Sequence, residues 1–173
     1  MIMAEFFDIY DEAGNHLGTA PRSECHGNPA LIHCTAHVAV MHPETGALLL
    51  QKRRMDKDIQ PGKWDTAVGG HLDAGETFEA AALRELAEEL GVTDETVLCH
   101  LFDSRIRNEI ESENVRVFGV KLAGPFAYQK SEIDGVRFFS VAELADPVIR
   151  AEFTPNLLLE LDELKACGFY PPA

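Results

Sequence analysis

Residues 69–92 have the sequence GGHLDAGETFEAAALRELAEELGV, in which a glycine-rich turn precedes an acidic helix. We predict a helix over 77–90 because the stretch is rich in good helix formers and its leucines recur at positions i, i+3 and i+7. Gly91 follows at the position where glycine commonly ends a helix. The stretch therefore predicts a helix that lies between a glycine-rich turn and a terminating glycine.

Three glutamates share one face of the predicted helix. Glu85, Glu88 and Glu89 lie at positions i, i+3 and i+4, and like charges at this spacing repel by about 0.2–0.5 kcal/mol per pair. No lysine one turn away in the sequence offsets that repulsion. Carboxylate oxygens favour hard cations, so the cluster indicates a site for Mg²⁺ or Mn²⁺. The alternative is a solvated acidic face on an acidic protein.

The turn and the helix together resemble the signature of the Nudix hydrolase family. The match covers nine fixed positions within 23 residues: Gly70, Glu76, Arg84, Glu85, Leu86, Glu88, Glu89, Gly91 and Val92. The resemblance implies a loop–helix–loop that binds the metal through the three helix glutamates and the carbonyl of Gly70, with Arg84 paired to Glu76. It also implies hydrolysis of a diphosphate bond in a nucleoside diphosphate derivative.

A metal held by carboxylates suits this reaction. Such a metal neutralises charge on the phosphoryl oxygens and activates a water molecule when open coordination positions remain. Neighbouring carboxylates can have raised pKa values, which suits one of them to act as a general base. The candidates for preparing the water are Glu88, Glu89 and Glu113.

Residues outside the signature are similar to the metal site of isopentenyl-diphosphate isomerase, an enzyme with the Nudix fold. There, three histidines and two glutamates of an E-x-E turn bind a divalent metal, and the matching residues here are His26, His33, His71, Glu111 and Glu113. Matching basic residues imply contacts with the diphosphate, and these are Arg22, Arg53 and Lys57. The alternatives are ordinary loop, strand and turn positions, and solvated charges on an edge strand.

One departure from the isomerase bears directly on the chemistry. The isomerase has a catalytic cysteine immediately before its Gly-His, whereas this chain has Gly69 there. Isomerisation needs an acid and a base on opposite faces of the alkene, and Cys34 is the only conceivable substitute thiol. We therefore predict an isomerase-like Nudix hydrolase, with the isomerase as the alternative. A module that binds nucleotides without cleaving them is disfavoured, because the signature is complete.

Composition restricts the class of protein and its partners. A chain of 173 residues with 46% hydrophobic content predicts a single domain over 1–173 with a substantial core. The net charge of −14 argues against nucleic-acid polymers and anionic membranes, but it allows a small-molecule diphosphate substrate. No apolar run approaches 18 residues, and we see no signal peptide, so we expect a cytoplasmic protein. The four cysteines lack CxxC spacing, which predicts reduced thiols.

The remaining pattern predicts an α/β (α+β) fold, a Nudix-type α/β/α sandwich around a mixed sheet with an N-terminal hairpin. The predicted elements are a hairpin at about 4–20, a loop over 21–30, strands over 31–41 and 47–54 that form a second hairpin, a loop over 55–68, strands over 97–104 and 115–121 around an acidic turn at 108–114, a strand over 136–139, and helices over 141–145 and 157–166. Strand 31–41 should have one apolar face and one carrying histidines.

Other residues have less specific predictions. His33 and His37 should be about 13 Å apart on a strand, too far to share one metal. We expect four histidines to be structural or solvated: His16, His37, His42 and His100. Trp64 is more consistent with a core position than with base stacking. Exposed aromatic residues on the N-terminal hairpin suggest a possible homodimer.

Overall fold

The computed structural model describes residues 5–171, so residue 4 of the predicted hairpin and both ends of the predicted domain lie outside the described residues. The strands are β1 (Phe6–Tyr10), β2 (His16–Pro21), β3 (His33–Met41), β4 (Leu48–Arg53), β5 (Trp64–Thr66), β6 (Val68–His71), β7 (Cys99–Arg107), β8 (Ser112–Lys121) and β9 (Ile133–Phe139). The helices are α1 (Arg22–Cys25), α2 (Phe78–Leu90), α3 (Val141–Ala145), α4 (Pro147–Arg150) and α5 (Pro155–Ala166).

The central sheet is mixed. Its strands follow the order β5-β4-β3-β8-β7, with β6 also paired to β3 and β9 also paired to β4. β3 and β8 run parallel, and the other pairs are antiparallel. β1 and β2 form a separate antiparallel hairpin, as the sequence predicted.

One long helix covers each face of the sheet. Buried residues of α2, including Leu86 and Leu90, pack with Val38 of β3 in one core cluster. Leu161 of α5 packs with Ala39 in the other cluster. Each large apolar side chain buried in this way contributes about 1.5–3 kcal/mol. The α/β/α sandwich is therefore confirmed.

The signature helix begins and ends where local chemistry requires. The Thr77 side chain caps α2 by accepting a hydrogen bond of 3.2 Å from the backbone N–H of Ala80. Gly91 follows the helix with φ of 69°, a left-handed conformation that glycine adopts at low cost. The predicted helix 77–90 differs from the observed one by the cap residue alone.

The predicted second hairpin is wrong over most of its length. β3 and β4 pair only at Val40–Leu49 and Met41–Leu48, and then they diverge. Beyond this point β3 pairs with β6 and β4 pairs with β5, so the predicted loop 55–68 contains β5 and the start of β6. We call this point of divergence the splay. Strands of three and four residues give little sequence signal, because their pairing depends on distant partners.

Several smaller predictions also need correction. The loop 21–30 contains α1, α4 was not predicted, and both faces of β3 are buried, with His33 only 1% exposed. β8 begins at Ser112, so Glu113 lies in a strand and not in the acidic turn. Phe7 of the hairpin is 1% exposed, which leaves Phe6 (45% exposed) as its most accessible aromatic residue. This weakens the argument for a homodimer. None of the helices in residues 5–171 is long and apolar enough to cross a membrane.

Candidate active site

Arg84 ties the glycine turn to the signature helix. Its guanidinium donates two hydrogen bonds to Glu76, of 3.0 and 2.9 Å, and one of 3.0 Å to the carbonyl of His71. Nη1 also donates to Oε1 of Glu85 at 2.6 Å. The hydrogen bonds from Arg84 lower the pKa of Glu76. This network fixes the turn against the start of the helix.

Gly70 allows Glu85 to approach the turn. A β-carbon at position 70 would lie 2.0 Å from Cδ of Glu85, closer than any real contact. Burial raises the pKa of Glu85 even though Arg84 is adjacent. Glu88, whose side chain is 54% exposed, lies 3.6 Å from Nη1 of the same arginine. Arg84 is therefore a cation close to the helix glutamates, although no lysine lies one turn away in the sequence.

Glu89 reaches from α2 into the splay. Its Oε2 accepts hydrogen bonds from the backbone N–H of Gly69 at 3.1 Å and from the Gln51 side chain at 3.2 Å. Both donors are neutral, and no cationic side chain within residues 5–171 forms a salt bridge with this carboxylate. Burial raises the pKa of Glu89 to about 8. A buried carboxylate without a cationic partner is a position that a bound metal would stabilise.

Two histidines and a glutamate form a second cluster, which we call the His-Glu cluster: His33, His71 and Glu113. A candidate metal site needs three or more His, Cys, Asp or Glu side chains whose potential metal-ligand atoms all lie within 4.8 Å of one another, and within residues 5–171 these three residues meet that criterion. Oε1 of Glu113 is 3.1 Å from Nε2 of His71 and 3.6 Å from Nε2 of His33. The ring of Phe7 stacks on both histidines, at centroid distances of 4.8 and 5.4 Å.

Hydrogen bonds hold the side chains of the His-Glu cluster in place. Burial disfavours the charged form of Glu113, but hydrogen bonds with His33 and His71 outweigh burial and hold its pKa well below the usual range. Nδ1 of His33 is 3.0 Å from the carbonyl of Leu31, which can only accept a hydrogen bond. Nδ1 of His33 therefore carries a proton, and Nε2 is directed at Glu113, where a bound metal would take the place of the proton that Nε2 donates to the carboxylate.

Two predicted ligands lie outside the His-Glu cluster. The ring of His26 is edge-on to His71 at a centroid distance of 5.3 Å, and its Nε2 lies 3.2 Å from Nε of Arg22, which donates to it. Glu111 precedes β8 and is not part of the group. The three helix glutamates likewise do not join it, so the structure divides the predicted ligands between two places.

The predicted phosphate-binding residues are already paired with carboxylates. Nη1 of Arg22 is 2.6 Å from Glu5, and Nη1 of Arg53 is 3.3 Å from Asp65. Lys57 forms a hydrogen bond with Glu132. Each of these side chains would have to exchange its partner to hold a diphosphate.

Sequence reasoning did not identify some residues that line this region. Gln51 was predicted to lie in a strand without a functional role, and His37 was expected to be structural or solvated. His37 instead pairs with Glu160, which lies 123 positions away in the sequence. No local pattern connects residues at such a separation.

The comparisons with known proteins agree with this geometry. A protein-family model described as NUDIX domain matches residues 32–157. The chain belongs to the Nudix family. This Nudix protein is 34% identical over 161 residues to an uncharacterized Nudix hydrolase of Yersinia pestis, covering 91% of this chain and 84% of the relative. Nudix hydrolases act on pyrophosphate bonds of nucleoside diphosphate derivatives, so the chain is a hydrolase of diphosphate bonds.

The isomerase branch also appears among the relatives of this Nudix chain. It is 31% identical over 165 residues to an isopentenyl-diphosphate Delta-isomerase of Streptomyces avermitilis, covering 92% of this chain and 83% of the relative. Among solved structures, the DR0079 protein of Deinococcus radiodurans aligns with a TM-score of 0.73 at 22% identity, covering 91% of this chain and 96% of that protein. This structural likeness supports the Nudix fold.

Proposed function

We propose that the chain is a pyrophosphohydrolase, dependent on Mg²⁺ or Mn²⁺, that cleaves a diphosphate bond in a nucleoside diphosphate derivative or a related organic diphosphate. The carboxylate of Glu89 carries this proposal. It is buried at the splay, it accepts hydrogen bonds from Gly69 and Gln51, and it forms no salt bridge with a cationic side chain within residues 5–171. Carboxylate oxygens in this state favour a hard divalent cation.

We assign roles to the signature residues on this basis. Glu85, Glu88, Glu89 and the carbonyl of Gly70 would hold the metal. When bound, it supplies charge neutralisation at the phosphoryl oxygens and lowers the pKa of water. Glu76 and Arg84 keep the turn and helix in register through their paired hydrogen bonds.

The general base is one of three carboxylates: Glu88, Glu89 or Glu113. Hydrogen bonds with the histidines hold the pKa of Glu113 well below its usual range, which makes it a weak base, whereas the raised pKa of Glu89, about 8, lies near the pH at which a general base is efficient. Glu88 is exposed and accessible to water. A variant in each position would distinguish these candidates through the pH profile of kcat.

The His-Glu cluster is proposed as a second divalent-metal site. Imidazole nitrogens beside a carboxylate favour Mn²⁺ and other transition metals over Mg²⁺. His26, whose ring centroid is 5.3 Å from that of His71, and Glu111, which precedes β8, are proposed to complete the ligand set. Phe7 shields one side of this site from water.

The substrate is proposed to be a small-molecule diphosphate. Arg22, Arg53 and Lys57 are the residues proposed to hold its phosphates, each after release of the carboxylate that it now contacts. The net charge of −14 makes a nucleic-acid polymer an unfavourable partner. A cytoplasmic location and a homodimer stay predictions from the sequence.

A substrate panel tests this proposal. It contains ADP-ribose, a nucleotide sugar, a dinucleoside polyphosphate, coenzyme A and isopentenyl diphosphate, each with Mg²⁺ and with Mn²⁺. The wild type is expected to cleave one class, and Glu89→Gln is expected to lose at least about 100-fold in kcat. Glu79→Gln, at an exposed position on the same helix, is the matched control. Near-normal hydrolysis by Glu89→Gln would contradict the assignment.

The alternative function, isomerisation of isopentenyl diphosphate, is favoured by the isomerase among the relatives. The position of Cys34, the candidate thiol, does not favour this reaction. Cys34 belongs to the core cluster beside α2, whereas its neighbour His33 points to the opposite face of the sheet. Burial raises the pKa of Cys34 to about 11, which keeps the thiol protonated. Formation of dimethylallyl diphosphate by the wild type would support the isomerase instead.

A further inference from the structure

An ion pair with little exposure to solvent lies beside the signature glycines. Nδ1 of His37 is 2.6 Å from Oε2 of Glu160 on α5, and the two side chains are 14% and 9% exposed. The other oxygen of Glu160 accepts a hydrogen bond of 2.7 Å from the hydroxyl of Thr66. Because both carboxylate oxygens are engaged, the imidazole ring is held in one orientation.

The second ring nitrogen of His37 is open. Nε2 has no hydrogen-bond partner within residues 5–171. Every fully buried side-chain nitrogen or oxygen in that range has a partner, so Nε2 is not fully buried and reaches solvent. Its edge of the ring faces Gly69, the residue opposite His37 in the pairing of β3 with β6. A β-carbon at Gly69 would lie 3.3 Å from Nε2. The missing side chain therefore keeps this edge accessible beside the residue whose N–H holds Glu89.

Acidic groups from four elements influence His37. They are Glu160 on α5, Asp65 on β5, Glu113 on β8 and Glu89 on α2. Burial lowers the pKa of His37, but Glu160 outweighs burial, and the net effect raises the pKa to about 9. Glu160 therefore favours the doubly protonated ring, in which Nδ1–H donates to Glu160 and Nε2–H has no acceptor within the described chain.

The position of His37 relates it to both candidate metal sites. His33, Thr35 and His37 alternate along β3, so they point to the same face of the sheet. Thr35 donates to Glu113 of the His-Glu cluster at 3.2 Å. On the other side, Gly69 connects the ring edge with Glu89. His37 therefore lies two residues along β3 from the threonine that donates to Glu113, and opposite the glycine whose N–H donates to Glu89.

We propose that His37 donates its Nε2–H to a phosphoryl oxygen of the substrate, with Glu160 as its positioning residue. This inference rests on the proposed hydrolase function. It also gives a reason for Gly69: a side chain there would occupy the edge of the ring that has to meet the phosphate.

Binding of methylenediphosphonate in Mg²⁺, measured by calorimetry, tests the proposal without turnover. Water does not cleave its carbon bridge, so affinity is read directly. His37→Gln is expected to weaken binding about 10-fold, and Glu160→Gln about 3-fold, because a charge-assisted hydrogen bond is lost or misaligned. His100→Gln is the matched control, since His100 pairs with Asp103 at 3.0 Å on β7. Equal affinity of His37→Gln and wild type would overturn the proposal.

A measurement on the wild type tests the proposal even if the His37→Gln variant fails to fold. Imidazole ¹⁵N spectra are expected to show a shift of His37 Nε2 when methylenediphosphonate is added, with Nδ1 little changed. An unchanged Nε2, or no binding by the wild type, would overturn the proposal. The double variant His37→Gln/Glu160→Gln removes the buried charge left by the single change and should show the same loss of affinity.

The outcomes separate this inference from the proposed function. If Glu89→Gln abolishes hydrolysis while His37→Gln binds and cleaves normally, the hydrolase assignment stands and the role of His37 is wrong. If the wild type cleaves no diphosphate while the probe still shifts Nε2, the proposed function fails and His37 remains an anion-binding residue.

Discussion

Replacement of Gly70 by alanine should disable the enzyme with a limited effect on folding. The new β-carbon would lie 2.0 Å from Cδ and 2.1 Å from Oε1 of Glu85. Ordinary contact begins at 3.4 Å, so the carboxyl group must move by about 3.4 − 2.0 = 1.4 Å. Metal–ligand distances tolerate about 0.2 Å, so this displacement removes Glu85 from a ligand position.

The expected loss follows from that displacement. A misplacement of about 1 Å can cost about 100-fold in rate, so kcat of Gly70→Ala should fall at least that far. Overpacking costs about 1–3 kcal/mol, which corresponds to a Tm lower by about 2–12 °C for a chain of this size. The assays are steady-state hydrolysis with a Mg²⁺ titration, and thermal unfolding followed by circular dichroism.

Gly135→Ala is the matched control, because a β-carbon at Gly135 would have nothing within 4 Å. It should leave kcat and Tm close to those of the wild type. If Gly70→Ala kept kcat within about twofold of wild type, where a lost ligand should cost about 100-fold, Glu85 would not be needed where the structure places it.

Three further predictions concern stability. Phe7→Ala should lower the free energy of unfolding by about 3–5 kcal/mol because Phe7 is 1% exposed. Phe6→Ala is the control and should lower it by under about 1 kcal/mol, because Phe6 is 45% exposed. Equal losses of Tm would show that Phe7 does not cover the histidines as described. Arg84→Lys should lower the free energy of unfolding by about 1–3 kcal/mol, because one ammonium cannot replace a guanidinium that contacts several acceptors. Denaturant titrations measure this change, and an unchanged midpoint of unfolding would contradict the prediction. In EDTA, the free energy of unfolding should fall as pH rises from about 5 to 8, because the pKa of Glu89 is raised to about 8 and the folded state binds the extra proton. Glu89→Gln should flatten this dependence, and equal slopes would refute the raised pKa.

The sequence predicted the elements whose determinants are local. The signature helix has its own cap at Thr77 and its own terminating Gly91, so its bounds could be placed within one residue. The family resemblance implied the sandwich around a mixed sheet, but it did not predict the parallel pairing of β3 with β8.

Features that depend on distant residues could not be predicted. The splay arises because β3 and β4 change partners after two residue pairs, and nothing in either strand marks that change. The sequence predicted exposed aromatic residues on the hairpin and did not reveal that Phe7 is buried, because its burial depends on histidines of the central sheet. For the same reason Glu113 was placed in a turn: its neighbours are acidic and polar, while its partners come from β3 and β6.

Within the site, spacing identified residue types better than it identified groupings. The sequence predicted one metal site at the helix glutamates and a separate set of ligands that included three histidines and two glutamates, but it did not indicate that His26 and Glu111 lie outside the His-Glu cluster. Folding also gave the basic residues carboxylate partners that no local pattern indicates.

The most direct test of the central claim is the fate of water oxygen during turnover. The reaction is run in H₂¹⁸O with Mg²⁺ on whichever diphosphate the panel identifies, and the products are analysed by mass spectrometry. Attack of water on phosphorus predicts one ¹⁸O in one of the two phosphate products for the wild type, and no such product for Glu89→Gln. A product with the mass of the substrate and no ¹⁸O would show isomerisation and contradict the assignment as a hydrolase.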